Sequence, residues 1–153
     1  MSVCSKEGLV YHRMATSDVA QIVAAENAIT AFPWTAKNFE SCLSSDYQCW
    51  LLRQAGQHVG HAVLSVAAGE AELLNIGIAK EFQGKGFGRQ LLDYMTGCAE
   101  ELGARAVFLE VRSSNEVAQH LYASSGFNEV GIRPAYYPAA KGREDAVIMA
   151  LEF

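Results

Sequence analysis

Apolar and polar positions alternate with a period of two over Leu9 to Met14, the pattern of a strand with one buried face. The spacing then becomes helical: Val19, Ile22 and Val23 fall on one side, behind Thr16 or Ser17 as a cap, and a second short helix capped by Thr35 carries Phe39 and Leu43 at i and i+4. Gln48 to Arg53, Val59 to Val66 and Ala71 to Ala79 read as three strands. Turns at Ala55-Gly56-Gln57 and Ala68-Gly69-Glu70 join them into an antiparallel meander. Leu91, Leu92, Met95, Cys98 and Leu102 then recur at helical spacing up to Gly103, a natural C′ residue, and Ala106 to Val111 is the next strand. Ser113, Ser114 and Asn115 are N-cap candidates for a helix with Val117, Ala118, Leu121 and Tyr122 on one side, stopping near Gly126. Strands at Phe127 to Arg133 and Ala146 to Phe153 flank a loop containing Pro134, Tyr136, Tyr137 and Pro138. The order βααβββαβαββ predicts an α/β (α+β) fold with a single mixed, mostly antiparallel sheet and helices on both faces.

At 153 residues, half of them apolar, the chain fits one domain spanning 1–153. No run approaches the ~20 apolar residues of a membrane span, and residues 1–13 hold no apolar leader core, so a cytoplasmic protein without membrane association is expected. The four cysteines form no C-x-x-C pair and read as free thiols. His58 and His61 invite a metal reading, but a spacing of three in a strand puts them on opposite faces. Solvated or hydrogen-bonded histidines, and no metal, are expected. A net charge of −5 disfavours nucleic acid and suits a cationic partner.

The most specific chemical signal is Gln83-Gly84-Lys85-Gly86-Phe87-Gly88, between a strand and an amphipathic helix. Glycines allow a tight turn and close backbone approach, and the helix N-terminus presents free N–H groups and a positive dipole end, so the segment can cradle a phosphate or pyrophosphate. A P-loop would need Lys-Ser or Lys-Thr after the glycines, and a dinucleotide fingerprint would need glycine where Arg89 stands. Simple helix packing is the structural alternative.

The segment matches Q-x-x-G-x-G, the pyrophosphate loop of the GCN5-related N-acetyltransferase (GNAT) superfamily, whose acyl carrier is coenzyme A. Further markers follow in order: Ala31-Phe32-Pro33-Trp34, Asn75-Ile76-Gly77-Ile78, Leu109-Glu110-Val111-Arg112 through Asn115, Leu121-Tyr122, Tyr136-Tyr137-Pro138 and Glu144-Asp145-Ala146. Together they resemble the RimI-type ribosomal-protein alanine N-acetyltransferases within that superfamily.

The resemblance implies the GNAT (acyl-CoA N-acyltransferase) fold, acetyl-CoA as co-substrate, and direct transfer to the N-terminal alanine of small-subunit ribosomal protein eighteen, presented as a basic peptide. It implies Glu110 as general base and Tyr122 as general acid. Ile76, Gly77, Ile78, Gln83, Gly84, Lys85, Gly86, Phe87, Gly88, Arg89 and Asn115 would bind the coenzyme, and Phe32, Pro33, Trp34, Tyr136 and Tyr137 the acceptor. The chemistry is consistent with these roles: amide formation from a thioester needs a neutral amine, a stabilised oxyanion and a proton for the leaving thiolate. Structural explanations stand beside them. Glu110 could pair with Arg112 or solvent, Tyr122 could be core, Asn115 an N-cap, and Glu144 and Asp145 either attract the peptide or are solvated. Competing functions are acetylation of other N-termini, lysines or small amines, and a non-catalytic acyl-CoA-binding module, which would not retain both Glu110 and Tyr122.

Overall fold

The computed structural model describes residues 2–4 and 8–153. Its elements are β1 (Ser2–Cys4), β2 (Leu9–Arg13), α1 (Val19–Ile29), α2 (Ala36–Leu43), β3 (Gln48–Gln54), β4 (Gln57–Ala67), β5 (Glu70–Ile78), α3 (Phe87–Glu101), β6 (Ala106–Arg112), α4 (Glu116–Ser124), β7 (Asn128–Pro138) and β8 (Arg143–Glu152). The strands form one sheet in the order β1-β2-β3-β4-β5-β6-β8-β7, antiparallel throughout except for the parallel pair β5–β6. A helical crossover by α3 is what allows that parallel pairing.

Each face of the sheet has its own apolar layer. Along β3, Trp50 and Leu52 point to one face and Cys49 and Leu51 to the other. The first face is covered by α3, through Phe87, Leu91, Leu92 and Met95, and by α4 through Tyr122. On the second lie α1 and α2, with Val19, Ile22, Phe39 and Cys42. Burying apolar side chains on both faces is the main stabilising term, roughly 25 cal/mol per Å².

Local signals behave as their chemistry requires. Thr35 caps α2 by accepting from Asn38 N at 3.3 Å. Gly103, at φ +87°, ends α3 by donating to the Glu100 carbonyl at 3.0 Å. Cys42, Cys49 and Cys98 are free thiols; the side chain of Cys4 lies outside the described residues.

Several expectations are corrected. Neither Thr16 nor Ser17 caps α1: residues Thr16–Asp18 form a short 3₁₀ turn, and Asp18 turns back to accept from Ala15 N at 2.8 Å. Val117 and Leu102 are 84% and 52% exposed, so they do not belong to the buried stripes of α4 and α3, where Ala99 is buried instead. The predicted Pro134–Pro138 loop is part of β7. Its pairing skips from Arg133 to Tyr137 through an irregularity at Ala135 (φ +51°), and the turn proper lies beyond Pro138.

His58 and His61 share a face. Arg53 pairs with His58 and Leu52 with Gly60, which leaves Val59 as an extra residue on β4; the bulge inverts the alternation. His58 Nε2 lies 3.1 Å from His61 Nδ1. No group of three metal-ligating side chains occurs among the described residues.

Candidate active site

The site is set by a parting of strands. β5 and β6 pair from Glu70↔Ala106 only as far as Leu73↔Leu109. Beyond that point β6 continues to pair with β8 up to Arg112↔Ala146. β5 turns away with β4. A bulge at Leu74 marks the turn, since Val63 pairs with Asn75 while Leu64 pairs with Leu73. The edge of β5 at Ile76, Gly77 and Ile78 that no longer meets β6 therefore borders a gap on one side, and Glu110 to Arg112 border it on the other. Gly77 is needed here for packing: a Cβ would come within 2.8 Å of His61 Nε2 and 2.9 Å of Ile29 Cδ1.

At the C-terminal end of β5 the glycine loop leads into α3. Gly84 and Gly86 have φ of +75° and +87°, and a Cβ at either would meet nothing within 4 Å, so open space lies before the helix. Gly86 is the N-cap with no side-chain cap, and the first turn of α3 carries no acidic residue, leaving its N–H groups and positive dipole end for an anion. The backbone thus fits a pyrophosphate. The side chains are largely engaged elsewhere. Gln83 Nε2 donates to the Ile78 carbonyl at 3.1 Å. Phe87 is buried against Phe82 and offers only its backbone. Lys85 Nζ sits 5.7 Å from the Phe82 ring centroid. Arg89 donates to Ser124 on α4, and Gly88 lets α3 approach Leu121, whose Cδ2 would lie 3.4 Å from an added Cβ. Asn115 caps α4, accepting from Ala118 N at 3.1 Å.

Glu110 and Tyr122 lie on opposite sides of β6. Leu109 and Val111 belong to the α3 face, which directs Glu110 to the α1/α2 face, while Tyr122 from α4 packs on the α3 face beside Phe127. Burial, reinforced by Tyr137, pushes the Tyr122 phenol up to about 12. Tyr137 is likewise pushed up to about 12 by burial, then by Glu110 and Tyr136. Glu110 Oε2 is 3.0 Å from Arg133 Nε, so its ion-pair partner is Arg133 rather than Arg112. A cleft of about 380 Å³ opens beside it, lined by Glu72, Phe108, Glu110, Arg133 and Ile148 among others.

Arg112 instead ties the two aromatic segments together. Its guanidinium carbon lies 4.1 Å from the Phe32 ring centroid and 4.6 Å from that of Tyr137. It donates to Glu144 at 2.9 Å and to the Pro138 carbonyl at 2.6 Å. Glu144 also accepts from Ser114 N, and these bonds, Arg112's first, hold its carboxyl below the usual carboxylate range. Asp145 accepts from Ala135 N at 2.9 Å. Both carboxylates therefore brace the β7–β8 hairpin. Tyr136 takes Arg133 over its ring at 4.9 Å, and Trp34 packs on Phe39, with its N–H donated to Glu26 at 3.0 Å. Of the predicted residues, Phe32, Tyr136 and Tyr137 thus cluster with Glu110, whereas Trp34 is partly drawn into the α1/α2 layer.

Sequence reasoning missed Arg133 and Glu26 as members of this neighbourhood, and gave Asn75 no role beyond its place in a family marker. Arg133 has no local signal, because its partner is distant in sequence. An acidic residue at an inward position of α1 was a usable signal for Glu26, since Val19, Ile22 and Glu26 share its buried stripe.

A family model described as the acetyltransferase (GNAT) family matches residues 18–127. The chain is 41% identical over 138 residues, covering 90% of it and 93% of the relative, to the [ribosomal protein bS18]-alanine N-acetyltransferase of Escherichia coli. It is 35% identical over 142 residues to the Haemophilus influenzae protein of that name, covering 92% and 97%. The crystal structure of the Escherichia coli ribosomal-protein alanine N-acetyltransferase superposes with a TM-score of 0.88 at 40% identity, covering 94% of this chain and 93% of that one. An Ard1 structure from Thermoplasma volcanium shares the fold, with a TM-score of 0.86 at 22% identity over 95% and 97% of the two chains. With the parted strands, the glycine cradle and these likenesses in agreement, the chain belongs to the GNAT acetyltransferase family.

Proposed function

We propose that this acetyl-CoA-dependent N-acetyltransferase acts on the α-amine of an N-terminal alanine at the head of a basic ribosomal-protein segment, that of bS18, by direct transfer in a ternary complex. One observation carries the reading. The parting of β5 from β6 joins two faces, with a carboxylate, Glu110, on one and a phenol, Tyr122, on the other. Acetyl-CoA supplies the reactive thioester acyl group. Backbone N–H groups of the glycine loop and the start of α3 hold its pyrophosphate, and the edge of β5 at Ile76 to Ile78, where β6 has parted from it, lines its pantetheine arm. Glu110 takes the proton from the incoming ammonium, directly or through water, a mild task for an N-terminal amine of pKa near 8. Tyr122, held protonated, gives a proton to the departing thiolate. No enzyme nucleophile is needed, which leaves the cysteines without a chemical role.

Glu110 is paired with Arg133, so an acceptor ammonium at the same carboxylate would replace one cation by another. Names of the similar proteins in Escherichia coli and Haemophilus influenzae, spanning about nine-tenths of this chain, support alanine of bS18 as the acceptor. The net charge of −5 suits an arginine-rich peptide, and the Phe32, Tyr136 and Tyr137 rings offer stacking faces for it. Initial rates over matched peptides test this. An alanine-headed peptide with several arginines should outpace an acidic one with the same first residue, by a margin that shrinks with salt because screening acts over ~8 Å. Equal rates would refute the charge argument.

A further inference from the structure

Beneath the gap lies a buried polar array with no part in the chemistry so far. Glu26, on α1, is 4% exposed, His61 0% and His58 8%. Glu26 Oε2 accepts from Trp34 N at 3.0 Å, and Oε1 lies 2.9 Å from His61 Nε2. The side chain of Asn75, on β5, faces the same carboxylate and helps to lower its pKa. Burial opposes ionisation of Glu26, but the bonds from His61 and Trp34, with Asn75 beside them, outweigh it and hold its carboxyl below the ordinary value. Glu26 is thus a buried anion joining the acceptor-side loop at Trp34 to the strand that borders the gap.

That arrangement fixes the Asn75 amide. A carboxylate only accepts, so Asn75 turns its NH₂ to Glu26 and its carbonyl away. Asn75 Oδ1 is buried and has no hydrogen-bond partner among the described residues. A buried acceptor left unmatched is costly, so it calls for an N–H donor. Its position says which one. Asn75 stands just past the Leu73↔Leu109 pair, beyond the bulged Leu74, and Glu110 is the next residue after that pair on β6. Both lie on the α1/α2 face: Asn75 stands opposite Val63, which belongs to that layer, and Glu110 points away from the layer that holds Leu109 and Val111. An alkylammonium entering the gap on that face carries several N–H donors and needs more than one acceptor.

We propose that Asn75 is a second amine-binding residue. Its Oδ1 accepts an N–H of the acceptor ammonium across the gap from Glu110, and buried Glu26 is the positioning residue that holds the amide in that orientation. This rests on the acceptor site proposed above. The contact keeps the nitrogen aimed at the acyl group while Glu110 removes a proton.

The test is a double-mutant cycle with Asn75→Leu, which is close in volume but has no acceptor, and Glu26→Gln, whose single amide oxygen cannot accept from both Trp34 N–H and Asn75 and so releases Asn75 to turn. With an alanine-headed basic peptide, each variant should lose roughly 10- to 100-fold in kcat/KM, while calorimetric affinity for acetyl-CoA stays within about two-fold of the parent. The double variant should be no worse than the poorer single one. A folded Asn75→Leu protein with the parent's kcat/KM overturns the proposal, as do fully additive losses, or losses shared equally by acetyl-CoA affinity. A parent that ignores the peptide but acetylates spermidine sinks the acceptor reading instead, and the same cycle run with spermidine then decides the Asn75 contact.

Discussion

Acid should weaken this fold through His58, by an amount that follows from its surroundings. The ring is buried, Nε2 meets His61 Nδ1 at 3.1 Å, and Nδ1 has no partner among the described residues. Burial first, then His61 and Arg53, push its pKa down to about 4, with Asp18 opposing. In the unfolded chain the same ring titrates near 6.5. The folded-state value is the lower one, so the unfolded chain binds the proton more readily, and stability is intact above about pH 6.5 and falls from there towards pH 4. At about pH 5 the unfolded ring is almost fully protonated and the folded one hardly at all, which amounts to roughly 2 kcal/mol. For a chain of this length that is a melting temperature lower by about 4–8 °C. Thermal melts of the parent and His58→Gln, each at about pH 7.5 and about pH 5, isolate the effect as a difference of differences. The lowered carboxyl of Glu26 adds acid lability at still lower pH, but it is common to both proteins. The parent's acid-induced drop should exceed the variant's by about that margin. Parallel drops would refute the reasoning.

Other substitutions probe the two faces of the gap. Gly86→Val puts a β-branched residue at φ +87°, costing about 1–2 kcal/mol of stability and lowering acetyl-CoA affinity far more; calorimetry that finds unchanged affinity in a folded variant removes the loop from the site. Tyr122→Phe keeps the ring packed on Phe127 and deletes the hydroxyl, so turnover should fall roughly 10²- to 10⁴-fold with coenzyme affinity preserved; parental turnover makes Tyr122 a core residue. Glu110→Gln should lose most activity near neutral pH and recover in part above about pH 8, where the free amine is abundant, whereas a pH–rate profile parallel to the parent's assigns Glu110 to substrate positioning.

Much of this architecture was legible because it is encoded locally. The apolar runs of β3 and β4, the alternation in β6 and at the start of β5, the Thr35 cap, the glycine loop and the Gly103 stop each depend on residues a few positions apart. The errors share a different cause. Bulges shift parity in a way that alternation cannot register: one extra residue at Val59 brought His58 and His61 together, and an irregularity at Ala135 kept a proline-containing segment within β7. Val117 fits an apolar stripe by spacing, but α4 is short and turns that position outward. At the site, Glu110 and Tyr122 came from the motif rather than from pattern. Arg133 on Glu110, Arg112 between Phe32 and Tyr137, and Glu26 on Asn75 are contacts between distant segments, and only the folded sheet creates them.

The most direct test of acetyl transfer to an N-terminal alanine is a mass-resolved assay on a single peptide. An arginine-rich peptide that begins with alanine and also contains lysine is incubated with acetyl-CoA and the protein, alongside the same peptide with its α-amine blocked. A single acetyl group on the α-amine of the free peptide, with the blocked peptide left unmodified, is the predicted result. Acetylation of the blocked peptide at lysine, at a rate comparable to the free one, would contradict it.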